Sequence, residues 1–216
     1  GGWQGRYDFA PFQVGRARLA SNGLKLSQLG DQLSLSTIAT ISGPLSGGYI
    51  EGARLPIDAR LRAGHFYVGE RCITGHFRRL SLASASFYNG QLPLCPSGKA
   101  LIHNQPKGGT MIAIKARPFR WHGVMGDAPI SLAGAGAQLF SKDRFRLANI
   151  VVNLGEGEGQ SILNIGQFDG NFSGRGVKGR FAGGDLWFGP GQMRLHQLAG
   201  DWRYAKNSFT LDSHGL

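Results

Sequence analysis

Hydrophobic and polar positions alternate along much of the chain. In "ARLPIDARLRA", Leu55, Ile57, Ala59 and Leu61 fall on one side, and Arg54, Asp58, Arg60 and Arg62 on the other. One oily side and one charged side, at a period of two, is the pattern of a half-buried β-strand. Leu33 and Leu35 alternate with Ser34 and Ser36 in the same way, as Phe145 and Leu147 do with Arg144 and Arg146. Strand candidates recur roughly every ten to fifteen residues, among them "RYDFAPFQV", "DQLSLSTIATI", "HFYVGE", "RRLSLASASFY", "TMIAIKARPF", "DRFRLANIVVNL", "VKGRFAG", "DLWFG" and "NSFTLDS". Turn signals divide them: "SNG", "SGG", "YNG", "CPSG", "PKGG", "GEGEG" and "GPGQ". Such short links imply antiparallel neighbours in a meander. "SLAGAGAQLF" and "LASNGLKLSQLG" hold too much glycine for helices, at roughly 1 kcal/mol per glycine relative to alanine. The chain reads as all-β.

A sheet with one apolar face must cover that face. A second sheet, closure into a barrel, or curling around a lipid would each do so. Glycine makes up 35 of 216 residues, about 16%, against a usual level of roughly 7%. No three-residue period runs through these glycines, which excludes collagen. Inside strands they mark bends and bulges, which curl a sheet. A weak echo links "ISGPLSGGYIEGARLPIDARL" to "IGQFDGNFSGRGVKGRFAGGDL", with Gly43, Leu45 and Gly47 matching Gly166, Phe168 and Gly170. It suggests stacked β units.

The net charge is +11, with a pI near 10.3. This balance attracts nucleic acid, anionic lipid head groups or acidic polysaccharide, though the charges never form a dense block. Most aromatics alternate in phase with aliphatic residues, which places them on the oily face and argues against base stacking and nucleic-acid binding. No run approaches 18 consecutive apolar residues, and "GGWQGRYDFAPF" is too polar for a signal-peptide core. The chain reads as a single unit, residues 1–216, excised from a longer protein.

Catalytic, cofactor and metal patterns are not found. The six histidines (His65, His76, His103, His122, His196 and His214) are dispersed, with no H-E-x-x-H spacing. His196 in "RLHQL" reads as a strand residue. The serines lack a G-x-S-x-G elbow. Glu156 and Glu158 in "GEGEG" read as a flexible acidic turn, because nothing fixes their separation for glycoside chemistry. "GQFDGNFSGRG" has no Lys-Ser/Thr for a phosphate loop. Cys72 and Cys95 stand in separate strand-like runs. A disulfide in an oxidising compartment and two buried thiols both fit.

Four segments together resemble the middle-to-late portion of YdbH-family proteins, which belong with TamB and YhdP among AsmA-like proteins of Gram-negative envelopes. They are "GLKLSQLGDQLSLSTIATISGPLSGGYIEGARLPIDARL", "ERCITGHFRRLSLASASFYNGQLPLCPSGKALI", "GVMGDAPISLAGAGAQL" and "FDGNFSGRGVKGRFAGG". The most specific pieces are "ISGPLSGG", the Cys72 strand with "LPLCP" downstream, and the "GDAP" turn at Gly126 to Pro129. The resemblance implies an elongated, curled antiparallel sheet, a β-taco or open groove with an apolar inner face. It also implies a periplasmic protein anchored in the inner membrane and reaching towards the outer membrane, with phospholipid acyl chains moving along the groove. An outer-membrane lipoprotein or assembly factor is a further implied partner. The implied lining is Leu33, Leu35, Leu55, Ile57, Leu61, Phe66, Val68, Leu80, Leu82, Phe145, Leu147, Phe181, Leu186 and Phe188, with a basic rim of Arg78, Arg79, Arg117 and Arg120 for anionic head groups. A periplasmic setting favours the Cys72–Cys95 bond. The alternatives are a structural β module that scaffolds outer-membrane assembly, and a basic domain for lipopolysaccharide or glycan.

Overall fold

The computed structural model describes residues 1–45, 47–104, 109–140, 143–173, 176–205 and 208–213. His214 and most of the "PKGG" turn lie outside the described residues. The chain is 83% strand, in a single large curled antiparallel sheet. Its strands are β1 (Gly2–Val14), β2 (Ala17–Leu29), β3 (Gln32–Leu45), β4 (Gly48–Arg62), β5 (His65–Val68), β6 (Ile73–Leu82), β7 (Ala85–Pro96) and β8 (Ile102–Asn104). They continue as β9 (Thr110–Ala116), β10 (Phe119–Met125), β11 (Ala128–Phe140), β12 (Arg144–Leu154), β13 (Ser161–Ser173), β14 (Gly176–Phe188), β15 (Met193–Ala205) and β16 (Ser208–Ser213). The acidic turn between β12 and β13 holds one short 3₁₀ turn, Gly157–Gly159.

Strands β1 to β4 and β10 to β16 form two meandering limbs. Between them the sheet branches. One edge of β4 pairs with β3, while the other pairs with β6 at 48–54 and with β5 at 59–62. In the same way β7 pairs with β6 on one edge, and with β10 and β9 on the other. The link from β7 to β8 crosses this branch. There Ala100 and Leu101 are buried, and the Leu101 amide donates to the Gly69 carbonyl at 3.0 Å. Cys72 and Cys95 are joined in a disulfide with Cα atoms 4.0 Å apart. The cross-strand partners Ile73 and Leu94 lie beside it.

Most long strands do not alternate from end to end. The apolar phase slips once, in mid-strand, by one residue. In β12 it runs Phe145, Leu147, then Ile150 and Val152; in β13, Leu163, Ile165, then Phe168; in β14, Val177, Phe181, then Gly184 and Leu186. Adjacent exposed residues mark the slips, such as Arg78–Arg79, Tyr88–Asn89 and His196–Gln197. Left-handed backbone absorbs the extra residue at Asn89 (φ 51°), Asn149 (φ 47°), Gly183 (φ 64°) and Gln197 (φ 57°). Such bulges bend a strand and increase its twist. Those at Asn149, Gly183 and Gln197 fall in one row: Ile150 pairs with Ile165, Ile165 with Gly184 and Gly184 with Leu198 just beside them. A crease therefore crosses β12 to β15. A second crosses β4, β6 and β7 between the Ile50–Leu80–Phe87 row and the Phe77–Gly90 pair. Because the phase slips with the bend, both halves of each strand keep their apolar residues on the same side.

That side carries two buried clusters. One is built on Ala53, Phe77, Leu80, Phe87, Trp121 and Ile130, the other on Ile150, Ile165, Val177, Phe181 and Trp202. Phe119, Leu132 and Val152 pack against both, so the apolar face is continuous. The curl is tight enough for Tyr204 in β15 to reach Gly47 in the β3–β4 turn, 157 residues away. Its hydroxyl donates to the Gly47 carbonyl at 3.2 Å. The echo seen in the sequence has a limited structural counterpart. Both segments are hairpins, but Gly47 lies in a turn, whereas Gly170 lies in mid-strand.

Candidate functional site

Cross-strand register brings the lining residues onto the apolar face. Leu33 pairs with Leu61, and Leu61 with Phe66; Leu35 pairs with Ala59, and Ala59 with Val68. Leu55 and Ile57 continue the same side of β4, opposite Ala39 and Thr37. Leu80 pairs with Ile50 and Phe87, and Leu82 with Gly48 and Ala85. In the C-terminal limb Phe145 lies opposite Gly170 and Leu147 opposite Phe168. Phe181 pairs with Phe168, Leu186 with Leu163 and Leu195, and Phe188 with Met193. Leu80 and Phe181 are buried, most others are half-buried, and Leu61 and Phe188 keep 44% and 42% of their surface in water.

The face is largely apolar, and polar side chains on it hydrogen-bond to one another: Ser21 with Thr37 at 2.8 Å, and the Trp3 indole N–H to Gln28 Oε1 at 2.7 Å. Among the described residues, no polar or charged residue is buried. The indoles of the two buried clusters also have their N–H groups satisfied: Trp121 donates to the Gln91 carbonyl at 2.8 Å and Trp202 to the Asp169 carbonyl at 2.9 Å. An apolar surface free of unpaired donors accepts hydrocarbon without a desolvation penalty. Glycines beneath aromatic rings shape it. Phe77 lies over Gly90, Phe119 over Gly134, and Phe145 and Trp202 over Gly170. Sequence reasoning did not single out Phe77, Phe87, Trp121 or Trp202 as lining, although all four lie in the buried clusters of the face. For three of them the signal was a glycine on the facing strand, Gly90 for Phe77, Gly123 for Phe87 and Gly179 for Trp202, which is visible only once register is known; Trp121 faces Leu132 and carries no such signal.

The opposite face carries the charge. Arg78 pairs with Glu51 at 2.6 Å, Arg60 with Glu70 at 3.1 Å and Arg146 with Asp169 at 2.7 Å. Burial alone would push the Asp169 carboxyl up. The hydrogen bonds from Arg146 and Gln167 and the Arg146 charge outweigh it and hold the group below the usual carboxylate range. Arg78 and Arg79 sit at the crease of β6, and Arg120 lies opposite Ala133 in β10. These three face away from the apolar side, while Arg117 is exposed in the link before β10. The rim assignment is thus corrected: parity within the strands puts the first three on the polar face, not at the lip of the apolar one. Some aromatics also leave the oily face, such as Trp187, which stacks under Arg194 at 3.9 Å. His196 pairs with Asp185 at 3.2 Å on the exposed surface.

Among the described residues, no group of three or more His, Cys, Asp or Glu is placed to hold a metal ion, and no helix is long and apolar enough to cross a membrane. No protein-family model, curated protein or solved structure matches the chain.

Proposed function

We propose that this chain is a length of open apolar trough that shelters phospholipid acyl chains, as part of a bridge-like protein between the inner and outer membranes. The observation that carries the reading is the uncovered apolar face. The chain exposes 13670 Å², about 40% more than the roughly 9,700 Å² of a compact protein of 23.2 kDa. A sealed sandwich would bury its inner leucines and phenylalanines; here large residues of that face remain half in water. Acyl chains in water cost about 0.8 kcal/mol per CH₂, and a continuous oily surface removes most of that barrier without a selective pocket. The basic balance suits anionic head groups, at about 1 kcal/mol for each Lys or Arg near such a surface. The resemblance to YdbH-family proteins supports the same reading and, with it, a periplasmic location and an inner-membrane anchor elsewhere in the full-length protein.

Native mass spectrometry of the purified chain tests it. Bound phospholipid is expected, and the delipidated chain should take up a fluorescent phospholipid. Leu147→Glu should lower uptake tenfold or more, since a charge in hydrocarbon costs about 2.5–3.5 kcal/mol. A chain that neither carries nor takes up phospholipid would overturn the proposal.

A further inference from the structure

The polar face of β1–β4 holds a concavity of about 810 Å³, within the roughly 300–1,000 Å³ of ligand sites. Arg6, Lys25, Arg60 and Arg71 line it, against Asp58 and Glu70. Glu70 is taken up by Arg60. Among the described residues, no carboxylate lies within ion-pair distance of Arg6, Lys25 or Arg71. Arg6 and Lys25 are direct cross-strand partners, and like charges in that relation repel. An anion between them turns the repulsion into attraction. Ser27, Ser34, Ser36, Gln4 and Gln32 supply short hydroxyls and amides within the same space.

One wall is held in place. The segment carrying Glu70 and Arg71 is tied to β4 by the Gly69 amide on the Asp58 carbonyl at 2.8 Å and by the Arg60–Glu70 pair. Its other end is fixed by the Cys72–Cys95 disulfide. Holding a wall in its bound position lowers the ordering cost of binding.

We propose that this basin binds a phosphate carried on a polyol: the phosphate between Arg6, Lys25 and Arg71, the hydroxyls on the serines and glutamines. The site lies on the face opposite the apolar trough and does not depend on lipid uptake there. Two sources share this chemistry, a free phosphorylated polyol and a phospholipid head group at a membrane surface. Amide NMR shifts of the full chain, titrated with sn-glycerol 3-phosphate, test the first. Sedimentation with phosphatidylglycerol–phosphatidylcholine vesicles, against phosphatidylcholine alone, tests the second. Saturable shifts at the basin with glycerol 3-phosphate but not glycerol are expected, or vesicle binding that needs phosphatidylglycerol. In whichever arm binds, Lys25→Ala with Arg71→Ala should weaken affinity at least tenfold. Arg144→Ala with Lys178→Ala, an equal charge loss elsewhere on the polar face, should leave it within twofold. Vesicle binding alone assigns the head group, and glycerol 3-phosphate binding alone assigns the free polyol. No saturable binding in either arm overturns the site, and so does equal weakening by both variant pairs, which would mean diffuse charge attraction.

Discussion

At the scale of single residues, the apolar face depends on glycines that receive aromatic rings. Gly170 is the sharpest case, since a Cβ there would lie inside the Phe145 ring and against Trp202. Neither ring can withdraw, because both pack in the cluster around Ile165 and Phe181. Gly170→Ala should therefore cost about 1–3 kcal/mol, the usual range for overpacking, read as a lower urea midpoint. Gly159→Ala, where a Cβ meets nothing within 4 Å, should stay within about 0.5 kcal/mol. Equal effects at the two sites would mean that the rings are not held against Gly170. The sequence showed the glycines in abundance. It could not show which of them lie under a ring, because that follows from cross-strand partners far apart in the chain.

Strands were the most legible level. Alternation located β3, β4, β9 and β12 from their leucines, isoleucines and phenylalanines. Its failures have two causes, a missed turn, as in "RRLSLASASFY", which spans the β6–β7 turn at Ala83 (φ 51°), and a phase slip read as a strand end. "VKGRFAG" and "DLWFG" read as two strands, yet they form the single β14, because Gly183 carries the phase slip between Phe181 and Gly184. The same slip in β12 hides in "FRLANIVVNL", where Leu147 is followed by Ile150 at a spacing of three. Strict period-two reading treats such a spacing as an end, whereas the chain uses it as a bend. The disulfide acts at this scale too, closing a loop of 23 residues across the branch of the sheet. Loop-closure entropy assigns it about 3 kcal/mol. Reduction should lower the denaturation midpoint by a corresponding amount, and an unchanged midpoint would show that β6–β7 pairing alone holds the branch.

For the whole molecule, the curl is the main feature. The C-terminal limb reaches the β3–β4 turn, where the Tyr204 ring lies against Gly47 (φ 86°). A side chain at Gly47 would be both strained and in collision with the ring. Tyr204→Phe removes only the hydroxyl and should cost about 0.5–1.5 kcal/mol. Tyr204→Ala removes the ring as well and should speed amide hydrogen exchange in the β3–β4 turn well beyond the effect in the Phe variant. Exchange unaltered in the Ala variant would mean that the curl is set within the sheet and not by this meeting of its limbs.

The class of the fold and the two-sidedness of its strands are legible in the chain alone, because a period of two is a local property written into adjacent residues. The sequence also set the apolar residues of a strand on one side, and it placed Cys95 in a strand, whereas Cys72, expected in one too, lies just before β6. The tertiary structure alone decided that these sides join into one face, that the slips align into creases, and that the limbs meet at Tyr204. Those facts depend on register between distant segments and on twist that accumulates over sixteen strands, and no short window of sequence contains either. The same holds for the basin on the polar face. Arg6, Lys25, Arg60 and Arg71 are ordinary surface cations in the sequence, and only pairing across β1–β4, with a disulfide-tied segment alongside, brings them around one space.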